Sequence, residues 1–161
     1  MRALKILLSM ALLSLFAVAQ ESTGTAQATG SSDSKATIYV YRYKQFAGSA
    51  LAPSVYCDEA QLAKMENGRY FAVRLDPGKH VLHSNDKQSG IELDLKAGQQ
   101  YFVRVEIATG LMKGHGRLIL VAPEQGGYEM QSSKLKPLGA DKVVDATRVS
   151  IEEARLQPSA K

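Results

Sequence analysis

RYFAVRLDPGKHVLHS, residues 69–84, is the stretch whose reading decides the fold. Two runs rich in apolar and β-branched residues, RYFAVRL and KHVLHS, flank Asp76-Pro77-Gly78. Proline presets φ and glycine accepts a positive φ, so the triplet is predicted to make a tight type II turn between strands at 69–75 and 79–84. Another turn signal, Asn67-Gly68, links the first of these strands to a short run at 61–65. The pattern continues outward on both sides. ATIYVYRY (36–43) and PSVYCD (53–58) precede it. GIELDLK (90–96), QYFVRVEI (100–107) and GRLILVA (116–122) follow, separated by turn residues such as Ala97-Gly98.

Side chains alternate along these runs with the period of a half-buried strand. Ile91, Leu93 and Leu95 share one face, and Glu92, Asp94 and Lys96 the other. Tyr101, Val103, Val105 and Ile107 share a face of the next run. Eight such strands with few helical patterns predict an all-β domain. Its expected architecture is an antiparallel β-sandwich of immunoglobulin-like type, with about seven to nine short strands. Arg74, Glu92, Asp94, Arg104 and Glu106 are expected on a solvated outer face as cross-strand charge pairs. YEMQSSKLKPL (128–138) is expected to add an edge strand. DATRVSIEEARL (145–156) is expected to form a short, loosely attached helix.

The 161 residues favour one domain. Arg2 and Lys5 precede an apolar run over 6–18, and Ala17-Val18-Ala19 gives an A-x-A pattern, so residues 1–19 are read as a secretory signal peptide. The apolar run is short for a membrane-spanning helix, which needs roughly 20 residues. Residues 20–35 are small and polar and are expected to be a flexible linker. The sandwich is placed at 36–138 and a tail at 139–161. Without residues 1–19 the chain carries 18 Lys plus Arg against 16 Asp plus Glu, net +2. That balance does not point to nucleic acid. An exported protein, periplasmic or extracellular, is expected, with no membrane span after cleavage and no signal for oligomerisation.

Few residues suggest chemistry. His80 and His83 are three apart, and strand alternation puts them on opposite faces, so no metal site is expected of them. Cys57 is the one cysteine. It shares a face with Val55 and is expected to be a small buried hydrophobe, with pairing between chains as a lesser alternative. Asp58 beside it would not lower its pKa, so a nucleophilic role is not expected. GLMKGHGRL (110–118) lacks the Gly-Lys-Ser/Thr order and the helix of a phosphate loop. An enzyme, such as a hydrolase, would need a polar pocket joining His80 or His83 to a carboxylate. No cofactor is expected. The best candidate binding surface is the stripe Tyr39, Tyr41 and Tyr43 on the first strand, although such a stripe equally suits the packed second side of a central strand.

The order Tyr39, Tyr41, Arg42, then Asp58, Asn67-Gly68, Tyr70-Phe71 and Pro77-Gly78-x-His80 resembles a bacterial family, the domain of unknown function 2846. The resemblance runs over about residues 36–122. The central part is also similar to PEGA-type surface-layer-associated repeats. These resemblances imply a small exported sandwich, transthyretin-like or immunoglobulin-like, with no known reaction. The function expected is a non-enzymatic module contacting a protein or cell-envelope component. The alternative is a small-ligand or glycan-binding module using the tyrosine face. Asp76, Pro77, Gly78 and His80 are expected to be a structural turn, with the His80 ring bonded to nearby backbone.

Overall fold

The structure is a computed structural model that describes residues 34–85, 90–108 and 115–151. The expected signal peptide, the linker up to residue 33, the glycine-rich stretch at 110–114 and the tail beyond 151 lie outside the described residues.

Eight strands form where alternation places them: β1 (Ala36–Tyr41), β2 (Ser54–Cys57), β3 (Ala60–Lys64), β4 (Arg69–Leu75), β5 (Gly78–His83), β6 (Ile91–Leu95), β7 (Gln100–Ala108) and β8 (His115–Val121). Helix α1 (Pro123–Ser132), the two-residue strand β9 (Lys136–Pro137), a 3-10 turn (Ala140–Lys142) and β10 (Val149–Ser150) follow. The protein is therefore mostly β, in two sheets. The larger runs β10-β4-β1-β7-β8, with β9 beside β4; the smaller runs β3-β2-β5-β6. The larger sheet is mixed: β1 pairs antiparallel with β4 and parallel with β7.

The main core lies between the sheets. Ile38, Val40, Phe71, Val73, Val103 and Val105 from one sheet meet Val55, Leu62, Leu82, Leu93 and Leu95 from the other. A second, smaller core lies on the far face of the larger sheet, where Tyr39, Tyr41, Ala72 and Phe102 pack against Val121 and Met130. Thus β1 buries both faces: Ile38 and Val40 point to the main core, Tyr39 and Tyr41 to the second.

The covering element is α1, which corrects the edge strand expected over 128–138; only Lys136–Pro137 pairs as strand, with Arg69 and Tyr70 of β4. Pro123 opens the helix at its first turn, where the missing N–H costs nothing, and Glu124 suits the positive end of the dipole. The buried residues of the helix are Gly126, Glu129 and Met130. Two of these three are not apolar, so the helical period is invisible to hydropathy. Gly126 is required by close approach, because a Cβ there would overlap the Cβ and Cγ of Phe102.

The described part of 145–156 is not a helix either. Asp145 Oδ1 accepts hydrogen bonds from the Thr147 and Arg148 backbone N–H groups. That turn delivers Val149 and Ser150 to β4, opposite Val73 and Ala72. Val149 is buried in the main core and Ile151 packs against it, which seats this segment beside β4.

Candidate functional site

The tyrosine stripe is not an open surface. Tyr39 is 5% and Tyr41 0% exposed, and both lie under α1 rather than under the opposite sheet. Tyr39 stacks on Phe102 with centroids 5.2 Å apart, and Tyr41 meets Tyr43 edge-on at 6.0 Å. A buried phenol needs a partner, and Tyr41 donates to Glu129 Oε2 at 2.5 Å. Glu129 also accepts from Gln125 at 2.7 Å and takes both its oxygens to Arg104 Nη1 at 2.9 Å. Arg104 Nε reaches Glu106 at 3.0 Å, and its guanidinium lies 5.7 Å from the centre of the Tyr43 ring. Arg104 therefore belongs to this covered network, not to the solvated set expected of it, whereas the Glu106 side chain is 39% exposed and stays in contact with solvent. Burial alone would raise the Glu129 carboxyl, but hydrogen bonds from Tyr41, Tyr43, Gln125 and Arg104 outweigh it and bring the pKa down to about 2. Burial and the Glu129 carboxylate push the Tyr41 phenol well above its ordinary value.

The turn residues come together with others that the sequence kept apart. Gly78 has φ +136° and is already the first residue of β5, so it does not hold the φ near +80° of a type II turn. The His80 ring braces the corner, with Nε2 3.1 Å from the Asp76 carbonyl oxygen. Its Nδ1 lies 3.0 Å from Asp58 Oδ2, on the chain just beyond the neighbouring strand β2. Asp58, at φ +55°, uses its other oxygen to accept the Val81 N–H at 3.0 Å. Cys57 Sγ lies 3.6 Å from Asp58 Oδ2 and 3.9 Å from His80 Nδ1. A carboxylate thus does meet His80. The thiol is no nucleophile, because burial, then the Asp58 charge, push its pKa up to about 12. His83 contacts only the backbone of Asp58: it stacks on Tyr56 at 5.0 Å, and its ring nitrogens face the Ser84 and Asp58 carbonyls at 2.6 and 3.0 Å.

Arg42 points into the protein and is 0% exposed. Its fork donates to the carbonyls of Leu51 at 2.5 Å and Gly48 at 2.8 Å, while Nε has no partner. Among the described residues no carboxylate pairs with it, and burial lowers its pKa. It pins the β1–β2 loop from beneath. Asn67 pins the same loop from the other side, exchanging two hydrogen bonds with the Gln45 backbone at 2.9 and 2.7 Å.

Beside that loop is a cleft of about 460 Å³ whose lining includes Lys44, Asn67, Gly68, Arg69, Lys134 and Lys136. Four of its lining residues are cations and none is acidic. Arg69 is partly compensated by Glu66 at 3.8 Å. Among the described residues no carboxylate pairs with Lys44, Lys134 or Lys136. The cleft is made by tertiary pairing: β9 beside β4 carries Lys134 and Lys136 across to Lys44. Lys134 follows the C-terminus of α1 with φ +48°, and Ser133 before it has φ −85° and ψ 1°. Successive right- and left-handed residues are the conformation from which backbone anion nests are built. No sequence signal assembles these four cations; the spacing Lys134-x-Lys136 is the only local hint.

A family model described as "Protein of unknown function (DUF2846)" matches residues 32–117. A curated relative, an uncharacterized protein of Haemophilus influenzae, is 26% identical over 109 residues, covering 66% of this chain and 64% of that protein. The chain thus spans under two thirds of that relative's length. No solved structure matches. Among the described residues no helix is long and apolar enough to cross a membrane.

Proposed function

We propose that this chain, which belongs to the family described as "Protein of unknown function (DUF2846)", is an exported, non-catalytic binding module. Its fold reads best as an immunoglobulin-like or transthyretin-like sandwich, and its ligand as an anionic, phosphate-bearing component of the cell envelope. Export rests on the N-terminal pattern of residues 1–19. The ligand class rests on one observation, the cleft with four cations and no acid in its lining.

Two features of the cleft favour binding over chance. Lys134 occupies a left-handed position just past a helix end, where glycine is the stable choice. A lysine there costs stability and places a charge in the cleft, as strained functional positions do. Asn67 and Arg42 also fix the loop that carries Lys44, so the cleft is held ready rather than formed on contact. Phe46, two residues along the same loop from Lys44, is 98% exposed, an apolar side chain open to a lipid surface. The glycan-binding alternative is less favoured, because Tyr39 and Tyr41 are buried and only Tyr43 of the stripe is half-buried.

Vesicle binding tests the proposal. The chain from residue 20 onward is titrated with zwitterionic vesicles and with vesicles containing an anionic phospholipid. Binding is expected only to the anionic vesicles and is expected to weaken with salt. Each cation near an anionic surface contributes about 1 kcal/mol, so reversing Lys44, Lys134 and Lys136 to Glu should cost at least about a hundredfold in affinity. Equal binding to both vesicle types, or a triple variant that binds as the wild type does, would overturn it.

A further inference from the structure

We propose that Cys57 Sγ, Asp58 Oδ2 and His80 Nδ1 bind one divalent transition-metal ion of the zinc type, with a fourth coordination position open to solvent. The site lies at the corner of the smaller sheet and is independent of the cationic cleft.

Geometry carries the proposal. A tetrahedral ion with a bond of about 2.3 Å to sulfur and about 2.1 Å to nitrogen or oxygen spaces its ligand atoms about 3.6 Å apart for pairs with sulfur and about 3.4 Å for nitrogen with oxygen. Here Sγ–Oδ2 is 3.6 Å, Sγ–Nδ1 is 3.9 Å and Nδ1–Oδ2 is 3.0 Å. No pair has to change by more than about 0.4 Å to take such an ion. Among the described residues this is the one group of three or more metal-binding side chains whose ligand atoms converge so closely.

The outer contacts are also those of a ligand set. His80 Nε2 faces the Asp76 carbonyl at 3.1 Å, a partner for an N–H at that nitrogen; in that tautomer the Nδ1 lone pair is turned towards the thiol and carboxylate. Asp58 Oδ1 is held by the Val81 N–H at 3.0 Å, which leaves Oδ2 aimed inward. With Nε2 protonated, Nδ1 and Oδ2 are two acceptors 3.0 Å apart, and only a cation or a proton between them relieves that contact. One thiolate, one imidazole and one carboxylate suit zinc or cobalt better than magnesium or calcium. The sulfur is buried, whereas the Asp58 and His80 side chains are 49% and 19% exposed, so an ion has a path from solvent.

The rival occupant is a proton, which would make His80 an imidazolium that merely braces the turn. Cobalt(II) titration of the metal-free, reduced chain separates the two. The expected result is one equivalent bound, a thiolate-to-cobalt charge-transfer band in the near ultraviolet, visible bands of four-coordinate intensity, and loss of all of these on adding zinc. Cys57→Ala should remove the charge-transfer band. Asp58→Asn keeps the left-handed backbone and the acceptor for Val81 N–H, so it should fold normally and bind at least about ten times more weakly. Circular dichroism and the urea midpoint confirm that both variants are folded. A spectrum that stays that of aqueous cobalt, or bands that persist in Cys57→Ala, overturns the proposal.

Discussion

Glu129→Gln tests whether the polar network beneath α1 holds the helix to the sheet through charge. The Glu129 carboxyl is held at about 2 against an ordinary value of 4.5. That gap, at about 1.4 kcal/mol per pH unit, corresponds to about 3 kcal/mol of stability from the ionised form. Breaking a buried pair by removing one partner costs a similar amount, and here Arg104 keeps Glu106, which argues for the lower end. The folded-state value lies below the unfolded one. The stabilisation is therefore complete above about pH 5 and is lost as pH falls from about 4.5 to about 2. Glutamine keeps the size and an acceptor for Tyr41 but no charge. Urea unfolding followed by far-ultraviolet circular dichroism should therefore find the variant about 3 kcal/mol less stable at pH 7 and nearly equal to wild type at pH 2. Comparing variant with wild type at each pH cancels other acids, including Asp145, whose pKa is also brought down to about 2, chiefly by Thr147 and Arg148. A difference below about 1 kcal/mol at pH 7, or one that stays constant from pH 7 to 2, would refute the charge argument.

Four other substitutions have defined outcomes. Gly126→Ala should destabilise by about 1–3 kcal/mol although alanine is the better helix former, because its Cβ collides with Phe102; hydrogen exchange should show loss of protection in α1, and a more stable variant would contradict the packing. A Cβ at Gly78 meets no atom within 4 Å, so the cost of Gly78→Val should be mainly backbone strain at φ +136°, about 1–3 kcal/mol in urea unfolding, and an unchanged stability would mean that the turn relaxes freely. Arg42→Lys keeps the charge but cannot reach both the Gly48 and Leu51 carbonyls; a loss of about 1–3 kcal/mol is expected, with faster amide exchange in the 46–52 loop. Lys134→Gly should raise stability by about 0.5–1 kcal/mol by relieving the left-handed position. The same change should weaken binding to anionic vesicles about fivefold, and binding equal to wild type in the folded variant would separate Lys134 from the cleft.

The strands were legible because period-two alternation survives wherever one face is buried. Ile91, Leu93 and Leu95 place β6 without any tertiary information, and β4 falls at the predicted residues, 69–75. What was not legible came from contacts distant in sequence. The buried side of α1 carries a glycine and a glutamate, and each owes its place to a residue on another element, Phe102 and Arg104. Strand alternation correctly keeps His80 apart from His83, yet it says nothing of Asp58, which is 22 residues away and joined only by the pairing of β2 with β5. The tyrosine stripe had two readings that the sequence alone could not separate, since what covers it was itself unrecognised.

That covering helix also links the second core to the proposed site. Choosing tyrosine for the far face of a central strand buries a hydroxyl, which demands an acceptor; Glu129 supplies one, and its charge then demands Arg104. The helix that brings Glu129 ends at Ser132, and the left-handed Lys134 turns the chain so that Leu135 packs on the second core while Lys136–Pro137 pairs with β4. Lys134 and Lys136 reach Lys44 only through this sequence of contacts. Changes that loosen α1 should therefore weaken anion binding without touching any cation, whereas Gly78→Val, on the smaller sheet, should lower stability and leave that binding intact. If Gly126→Ala lifts the helix and the affinity for anionic vesicles does not fall, the cleft does not depend on α1, and the four cations are a solvated surface rather than a site.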